Sequence, residues 1–559
     1  MRMLRHDRLP EGVPAMTERL LNDLDVLAET SPDAVALIDA NADTMRRTSW
    51  YELQVRYRAL AADLRQRGVV AGGAVAVWLP NWSDAIVWQL AAAHLGAHVV
   101  GVNTRYNVRE VAHVLRAARP SIIAVAHGFR GLDFLPRLRE AAAVSLEKPA
   151  VAVISGPHGG GAVSVRDYDL GMGAWAPSMT APSDVARADL GDQANLMAAF
   201  TTSGSTGDAK LAGHWASAVR QHARADAAAL ALARGDVAVC ILPLSGVFGF
   251  NLAYAALAVG ATCLLEETFD ERVILEHIAA CGGTHMAGGD DMLARLLDAW
   301  VSQPTKIDTL RWIGVAGFIG RSEEVARWGR DHAGAWVTGV YGSSEIMALA
   351  MSWPPDTDFP EPWRGGGQPI PGLQVRIWDR ETVSPARRGV PGELQFRGTS
   401  VVNEYLGDPS ALQSGLTPDG WFSSGDLGVQ VGDNAYTYVC RMEEILRLSG
   451  FLVRPGEIEE RLSSHPAVEL AKVVGITDSD GHTVPIAFVT QVAGREVSAG
   501  ELIDWCASAI AKYKVPRVVH LVRDLPTTAG TNGSKIRTKD LRDLAQREWD
   551  EEAARRRAR

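Results

Sequence analysis

The sequence has few of the residues that disulfide-bonded, zinc-binding and membrane proteins need. Its 559 residues include only five cysteines; none of them forms a C-x-x-C pair, and their spacing indicates neither a disulfide framework nor a zinc site. No apolar run approaches the ~20 residues of a membrane-spanning helix, and residues 1–14 lack the apolar core of a secretory signal. We therefore expect a cytoplasmic protein without a membrane span.

An excess of positive charge is also missing. The chain has 56 Lys+Arg against 66 Asp+Glu, a formal net charge of −10, whereas a nucleic-acid-binding protein needs a basic face to neutralise phosphates. This balance argues against a nucleic-acid partner. The apolar share of 47% with 22% charged residues excludes a largely disordered chain. The length is enough for three or four core-forming units of roughly 150 residues each.

The N-terminal half alternates helix and strand patterns. Ser49 and Glu52 form an S-x-x-E capping box, which predicts that a helix begins there. Apolar segments at 74–79 and 97–102 flank a helix pattern over 83–96 and are typical of buried strands. This alternation predicts a mostly parallel sheet with helices on both faces.

The pattern changes twice in the C-terminal part of the chain. From about residue 387, turn signals crowd together between short apolar runs, which favours a β-rich region. After residue 441, helix and strand patterns resume in a stretch long enough to form a separate small domain. The predicted domains are therefore 1–441 and 442–559.

A loop of glycine and hydroxyl residues follows the apolar segment 196–200. Such a loop exposes backbone N–H groups and hydroxyls to an anion, and a lysine adds positive charge. Considered alone, a flexible linker explains the segment about as well, and the Walker pattern is excluded because no lysine directly follows the second glycine. The candidate anion-binding residues are Thr202, Ser203, Gly204, Ser205, Thr206, Gly207 and Lys210.

Further motifs follow this loop along the chain. They are Tyr341-Gly342-Ser343-Ser344-Glu345, the segment 421–427, Arg441 with the segment 444–459, and the segments 513–516, 525–527 and 533–536. Together with the loop they resemble the motifs of the AMP-forming adenylating enzymes, the superfamily of acyl-CoA synthetases, peptide-synthetase adenylation domains and luciferases. The resemblance covers nearly the whole chain and is strongest to a free-standing acyl-CoA synthetase.

The resemblance implies an α/β fold with two unequal domains. The large N-terminal domain would contain two α/β layers and a β-rich subdomain, and would bind ATP and an acid. The small α+β C-terminal domain would be mobile and would turn about a hinge at Met442 and Glu443. Its residues Gly450 and Phe451 would face CoA after the turn.

The resemblance also implies a nucleotide site in the N-terminal domain. The 202–210 loop would cradle the β- and γ-phosphates of ATP, Ser344 would offer its hydroxyl to the α-phosphate, and Glu345 would hold Mg²⁺. Adenine would lie between an aromatic ring and a stretch of backbone, formed by Tyr341 with Gly342 on one side and by Gly317, Phe318 and Ile319 on the other.

Three charged side chains would complete the site. By the same resemblance, Asp426 would accept hydrogen bonds from both ribose hydroxyls, and Arg441 would contact ribose or phosphate. Lys535 would be the catalytic lysine, because its ammonium could reach the substrate carboxylate and the α-phosphate together. The histidines near these motifs have no paired spacing and are predicted to be structural rather than metal ligands: His214, His285 and His465.

The acyl pocket departs from the family pattern. Acyl-CoA synthetases commonly carry an aromatic residue and a histidine where Ser245 and Gly246 stand, so both positions have shrunk. A close-packed protein does not normally leave such a void. Either a neighbouring aromatic, Phe248, Phe250 or Phe318, fills the space, or the acid is bulky near its carboxylate. The predicted pocket residues are Ser245, Gly246, Phe248 and Gly249.

These residues predict an AMP-forming acid–CoA ligase that uses ATP, Mg²⁺ and CoA. Its acid would be alicyclic, aromatic or medium-chain. One alternative is a ligase that loads a carrier protein instead of CoA, and another is a non-catalytic homologue that binds nucleotide. The joint presence of Glu345, Asp426, Arg441 and Lys535 argues against the second alternative, and a homodimer is left open.

Overall fold

The computed structural model describes residues 20–41, 43–159, 164–179, 195–202, 209–357, 359–448, 451–479, 481–530 and 533–557. For residues 451–452, 528–530, 533–535, 554 and 556–557 it describes the backbone alone. Among the described residues, no helix combines the length and the apolar character that crossing a membrane requires.

The N-terminal part is built around two sheets. In chain order its strands are β1 (Val35–Ala40), β2 (Met45–Ser49), β3 (Ala74–Trp78), β4 (His98–Gly101), β5 (Ile122–Ala126), β6 (Ala150–Ile154), β7 (Ala174–Trp175), β8 (Leu196–Thr201), β9 (Leu211–Trp215), β10 (Val237–Cys240), β11 (Thr262–Glu266), β12 (His285–Gly289), β13 (Trp312–Ala316), β14 (Trp336–Tyr341), β15 (Met351–Ser352), β16 (Gly366–Pro369), β17 (Leu373–Asp379), β18 (Ser384–Pro385), β19 (Gly392–Gly398), β20 (Glu404–Leu406), β21 (Phe422–Gly432) and β22 (Ala435–Arg441).

The larger sheet combines a parallel half with the predicted β-rich region. Its 14 described strands run in the order β18-β17-β19-β21-β22-β16-β15-β14-β13-β12-β10-β11-β1-β2. The six adjacent strands β14, β13, β12, β10, β11 and β1 are parallel to one another. The other described pairs in the row are antiparallel. The β-rich region expected from residue 387 is therefore the antiparallel end of this sheet.

The smaller sheet is parallel at its centre. Its eight described strands run in the order β20-β9-β8-β4-β3-β5-β6-β7. The pairs from β8 to β7 are parallel, while β9 runs antiparallel to both β8 and β20. The strands expected at 74–79 and 97–102 are β3 and β4, which confirms both predictions.

Helices cover and separate the two sheets. They are α1 (Leu20–Thr30), α2 (Trp50–Gln66), α3 (Ser83–His94), α4 (Val108–Ala118), α5 (Phe134–Ser145), α6 (Ala216–Ala229), α7 (Val247–Val259), α8 (Glu271–Cys281), α9 (Asp290–Ser302), α10 (Ser322–Trp328) and α11 (Pro409–Gly415). The capping box that begins α2 is present, since Ser49 and Glu52 bond each other's backbone N–H groups. Helix α3 contacts β1 of the larger sheet and β3, β4 and β8 of the smaller one, which explains why it is buried almost all round.

The C-terminal part has a small core of its own. Its strands are β23 (Leu446–Leu448), β24 (Phe451–Val453), β25 (Val468–Thr477), β26 (Thr483–Gln491), β27 (Val518–Leu521), β28 (Thr527–Gly530) and β29 (Gly533–Ile536), and its helices are α12 (Pro455–Ser463), α13 (Ala499–Ala507) and α14 (Thr538–Arg557). The mixed α/β architecture, with a large N-terminal and a small C-terminal part, confirms the predicted fold class.

A buried histidine in β4 gives the fold a dependence on pH. His98 is 5% exposed, neither of its ring nitrogens has a hydrogen-bond partner among the described residues, and burial lowers its pKa to about 4. Between pH ~6.5 and 4 the unfolded chain binds a proton that the folded chain does not, so this group lowers stability as pH falls through that window.

We therefore expect His98→Leu to stabilise the protein, and to do so more at pH 5 than at pH 7.5. Removing an unpaired buried polar group should raise the free energy of unfolding by about 1 kcal/mol or more at pH 7.5. Urea denaturation at both pH values measures the effect, with the exposed His482→Leu as the control. An equal gain at the two pH values would contradict the role given to His98.

Candidate functional site

The candidate site lies where the carboxyl ends of parallel strands from both sheets converge. In open α/β sheets, ligands bind outside this edge. Strand β13 ends just before Gly317, Phe318 and Ile319, β14 ends at Tyr341, and β8 ends at Thr201. The two sheets meet closely, because the Ser344 hydroxyl donates to the Thr201 carbonyl oxygen at 3.0 Å. The fold thus brings together three of the loops that the motifs singled out.

The predicted anion-binding loop connects an antiparallel pair of strands. It leaves β8 and returns in β9, and the backbone N–H of Thr202 donates to the Lys210 carbonyl oxygen at 2.8 Å. The Lys210 N–H in turn donates to the Thr202 hydroxyl at 3.2 Å. These bonds close the base of the loop. Its predicted residues Ser203, Gly204, Ser205, Thr206 and Gly207 lie outside the described residues.

A tyrosine that no motif marked connects this loop to the predicted metal ligand. The ammonium of Lys210 lies 5.0 Å from the centre of the Tyr405 ring. Burial, and then the charge of Glu345 and a hydrogen bond to it, raise the pKa of Tyr405. Tyr405 therefore remains a neutral hydroxyl near the Glu345 carboxylate while its ring faces Lys210. It belongs to β20, whose pairing with β9 brings it here.

The loop after β14 is held through its backbone carbonyl oxygens. His214 Nε2 lies 2.8 Å from the Ser344 oxygen, the Val402 N–H donates to the Glu345 oxygen at 2.6 Å, and the Asn251 amide donates to the Met347 oxygen. A carbonyl only accepts, so His214 carries its proton on Nε2. Burial lowers the pKa of His214 to about 4, which keeps the ring neutral near pH 7.

These bonds hold a backbone conformation that side chains disfavour. Met347 and Ala348 both have positive φ, 58° and 45°, a region that costs non-glycine residues about 1 kcal/mol or more. The loop also folds back on itself, since a Cβ at Gly342 would lie 2.4 Å from the Ala348 carbonyl carbon. Strained backbone of this kind persists only where its surroundings fix it.

Tyr341, Asp426 and Arg441 form one polar group, in which Tyr341 and Asp426 are buried and Arg441 is partly exposed. The Tyr341 hydroxyl donates to Asp426 Oδ2 at 2.6 Å, and Arg441 Nε lies 3.1 Å from Asp426 Oδ1. Asp426 and Arg441 face each other across β21 and β22. The Tyr341 ring lies parallel to that of Phe396, with centroids 5.8 Å apart. The structure thus joins three residues that were predicted to touch different parts of a nucleotide.

The charge of Glu345 also acts on Arg441 of this group. Burial opposes the charge on Arg441, but Asp426, the two tyrosines Tyr438 and Tyr341, and Glu345 together raise its pKa. Among the described residues, no group of three or more His, Cys, Asp or Glu could hold a metal ion. Beside phosphates, Mg²⁺ is usually held by one or two carboxylates, and Glu345 is suited to be such a ligand.

The predicted acyl pocket is backed by tightly packed backbone. Ser245 is 8% exposed and Phe248 is 4% exposed, and a Cβ at Gly249 would lie 2.5 Å from the Pro243 carbonyl oxygen. Among the aromatics that could fill the shrunken position, Phe250 stacks on Tyr254 with centroids 3.9 Å apart. Phe318 packs elsewhere, over Gly289. Gly246 itself precedes α7 as its N-cap residue.

The remaining predicted residues lie in the C-terminal part or at its start. Lys535 belongs to β29, where its backbone faces Thr528; its side chain is outside the described part of the structure. Strand β29 has Cα atoms within 8 Å of α9 in the N-terminal part. Met442 and Glu443 form a 3₁₀ turn over Met442–Glu444. Gly450 lies outside the described residues, and Phe451 begins β24.

Two family models match the chain. Residues 24–406 match the model described as AMP-binding enzyme, and residues 457–531 match the one described as AMP-binding enzyme C-terminal domain. The first match spans more than half of the chain and contains the loops at 202–210 and 341–345. The second covers most of the small C-terminal part.

Relatives and solved structures of the same length accompany these matches. A Mycobacterium tuberculosis CoA ligase, named for a propanoyl group on a methyl-dioxo-octahydroindenyl ring system, is 29% identical over 95% of this chain and 98% of its own. The 4-coumarate–CoA ligase 2 of Oryza sativa subsp. japonica is 26% identical over 91% of this chain and 90% of its own. The crystal structure of ATP-bound MatB from Rhodopseudomonas palustris superposes with a TM-score of 0.79 at 25% identity, covering 95% of this chain and 100% of that one.

The close approach at Gly342 predicts that this position tolerates no side chain. Gly342→Ala would place a methyl group against the backbone of Ala348 and force the 341–348 loop to shift, which should cost about 1–3 kcal/mol of unfolding free energy. Urea denaturation measures the loss. Gly456→Ala is the matched control, because a Cβ there meets nothing within 4 Å. Equal stability of the two variants would show that the loop is not held as described.

Proposed function

Because the chain belongs to the AMP-binding enzyme family, we propose that it is an acid–CoA ligase that passes through an acyl-adenylate. The observation that carries this proposal is the single edge that joins the 202–210 loop, Glu345 and the Asp426–Arg441 pair. A loop suited to anions and a carboxylate suited to ribose hydroxyls would together serve a nucleoside triphosphate. The relatives that are named CoA ligases support CoA as the acceptor of the acyl group.

The first half-reaction joins two anions. A carboxylate oxygen of the acid attacks the α-phosphorus of ATP, the acyl–O–P bond forms, and the bond to pyrophosphate breaks. Positive, preorganised groups must neutralise the charge that moves to pyrophosphate. In our proposal Lys210 and its loop bind the β- and γ-phosphates, Ser344 and Arg441 face the α-phosphate, and Asp426 binds the ribose hydroxyls.

Glu345 is suited to hold Mg²⁺ with the phosphates. Its carboxylate lies near the Tyr405 hydroxyl, and its backbone is fixed by the N–H of Val402. When bound, Mg²⁺ would supply positive charge to the phosphate oxygens. Tyr405 would help to keep the Glu345 carboxylate in place beside the metal.

The second half-reaction needs the C-terminal part to turn. The CoA sulfur attacks the acyl carbon of the adenylate, the thioester bond forms, and AMP leaves with the electrons of the broken acyl–oxygen bond. Lys535 would serve the first step only. A turn about Met442 and Glu443 would then bring Gly450 and Phe451 toward CoA.

The pocket favours an acid that is bulky near its carboxylate. Ser245 and Gly246 are small where the family commonly carries larger side chains, and two of the three aromatics that could replace them pack against other residues, Phe250 on Tyr254 and Phe318 on Gly289. The two CoA ligases reported above are named for ring-bearing acids. We therefore propose a ring-bearing or branched acid as the substrate.

The wild-type enzyme tests this function directly. A panel of aliphatic, alicyclic and aromatic acids is screened for ATP–pyrophosphate exchange, and the active acids are then assayed for thioester formation with CoA. We expect exchange and thioester with a ring-bearing acid. Exchange without any CoA thioester would point to a carrier-protein acceptor, and no exchange with any acid would contradict the proposal.

Lys535 should act in only one half-reaction. Lys535→Ala should slow adenylation by ~10²–10³-fold, the scale of one lost transition-state charge contact, and should largely spare thioester formation from preformed acyl-adenylate. Lys539→Ala, an exposed lysine of α14, is the control and should change neither rate. Equal damage to both half-reactions by Lys535→Ala would refute the alternating role.

Gly246 should set the size of the acid. Gly246→His should cut kcat/KM for a ring-bearing acid by roughly tenfold or more, about 1.4 kcal/mol of lost fit, and should spare a short linear acid. The two acids are compared in both enzymes, so each serves as the control for the other. If both values fall equally, Gly246 does not line the acyl pocket.

A further inference from the structure

A buried carboxylate that no motif marked holds the loop after β13. Asp290 is the first residue of α9 and has no exposed surface. Its Oδ1 accepts from the backbone N–H groups of Phe318 at 2.7 Å and Ile319 at 3.0 Å. Its Oδ2 accepts from the N–H of Arg321 at 2.9 Å and the hydroxyl of Ser322 at 3.1 Å. One side chain therefore binds four donors within five consecutive residues.

A carboxylate can accept from four donors better than an amide of the same shape can. A carboxylate is acceptor-only and offers about four lone-pair sites, and hydrogen bonds to a charged acceptor are the strong ones. An amide in its place would keep one accepting oxygen but turn its N–H groups toward the Arg321 N–H, which cannot accept, and would leave that buried donor without an acceptor. The arrangement is thus specific to an acid at this position.

The neighbouring glycine completes the support of the loop. A Cβ at Gly289 would lie 2.7 Å from the Phe318 ring, so the ring packs directly on the end of β12. Phe318 is therefore held twice, through its backbone by Asp290 and through its ring by Gly289. Strand β29, which carries Lys535, also lies beside α9.

We propose that Asp290 is a positioning residue for adenine. By fixing the backbone of Phe318 and Ile319, directly after Gly317, before the nucleotide arrives, it holds one wall of the adenine pocket rigid. Ordering a loosely held loop on binding would cost free energy that a fixed loop does not lose. This inference rests on the proposed function, because it takes these three residues as the wall opposite Tyr341.

A comparison of two ligands tests whether Asp290 supports the adenine wall alone or the whole fold. ATP contacts both the adenine wall and the phosphate loop, whereas inorganic tripolyphosphate contacts the phosphate loop alone. Calorimetry in the presence of Mg²⁺ and without any acid measures both dissociation constants and allows no turnover. We expect Asp290→Asn to raise the Kd for ATP about tenfold and to leave the Kd for tripolyphosphate within about twofold.

Asp298→Asn is the matched control. Asp298 pairs with the Arg321 side chain at 2.8 Å on the exposed side of the same loop, so its loss removes an acid without touching the buried bonds. We expect it to leave both dissociation constants unchanged. Ser322→Ala removes one of the four donors, should raise the Kd for ATP by about threefold, and carries the test if Asp290→Asn does not fold.

Three results would overturn the proposal. An unchanged Kd for ATP in Asp290→Asn would show that the loop needs no anchor. An equal rise for ATP and tripolyphosphate would show that Asp290 supports the whole fold rather than the adenine wall. A wild-type protein that binds tripolyphosphate but not ATP would overturn the proposed nucleotide function together with this inference.

Discussion

The candidate site depends on hydrogen bonds to the backbone carbonyl oxygens of one short loop. The donors come from three separate places: His214 in β9, Asn251 in α7 and the N–H of Val402 after β19. The three donors lie in different parts of the fold, so the strained shape of the loop after β14 depends on contacts with more than one of its layers. That shape places Ser344 against β8 and turns Glu345 toward Tyr405.

The buried carboxylates of the site are stabilised by hydrogen-bonding and charged partners rather than by contact with water. Asp426 is 4% exposed, and a buried carboxylate is costly unless it is paired and hydrogen-bonded. Arg441 and the Tyr341 hydroxyl supply those partners. Asp290 is satisfied in another way, by backbone N–H groups and a hydroxyl. The two buried acids are therefore stabilised differently, Asp426 by a cation and a hydroxyl and Asp290 mainly by the main chain.

The sequence predicted the loops that meet at this edge but not the residues that support them. Capping signals and apolar segments located α2, β3 and β4, because those depend on neighbours along the chain. Tyr405, Asn251 and Asp290 had no such signal, since each acts on residues at least 28 positions away. Their contacts follow from strand order, as when β20 pairs with β9. His214 was predicted to be structural, and it binds the Ser344 backbone.

A crystal structure with AMP tests the central claim, a nucleotide site at this edge, most directly. We expect adenine between Tyr341 and the backbone of residues 317–319, the ribose hydroxyls on the Asp426 carboxylate, and the phosphate beside Ser344. AMP bound away from this edge, or adenine outside the wall that Asp290 holds, would contradict the claim.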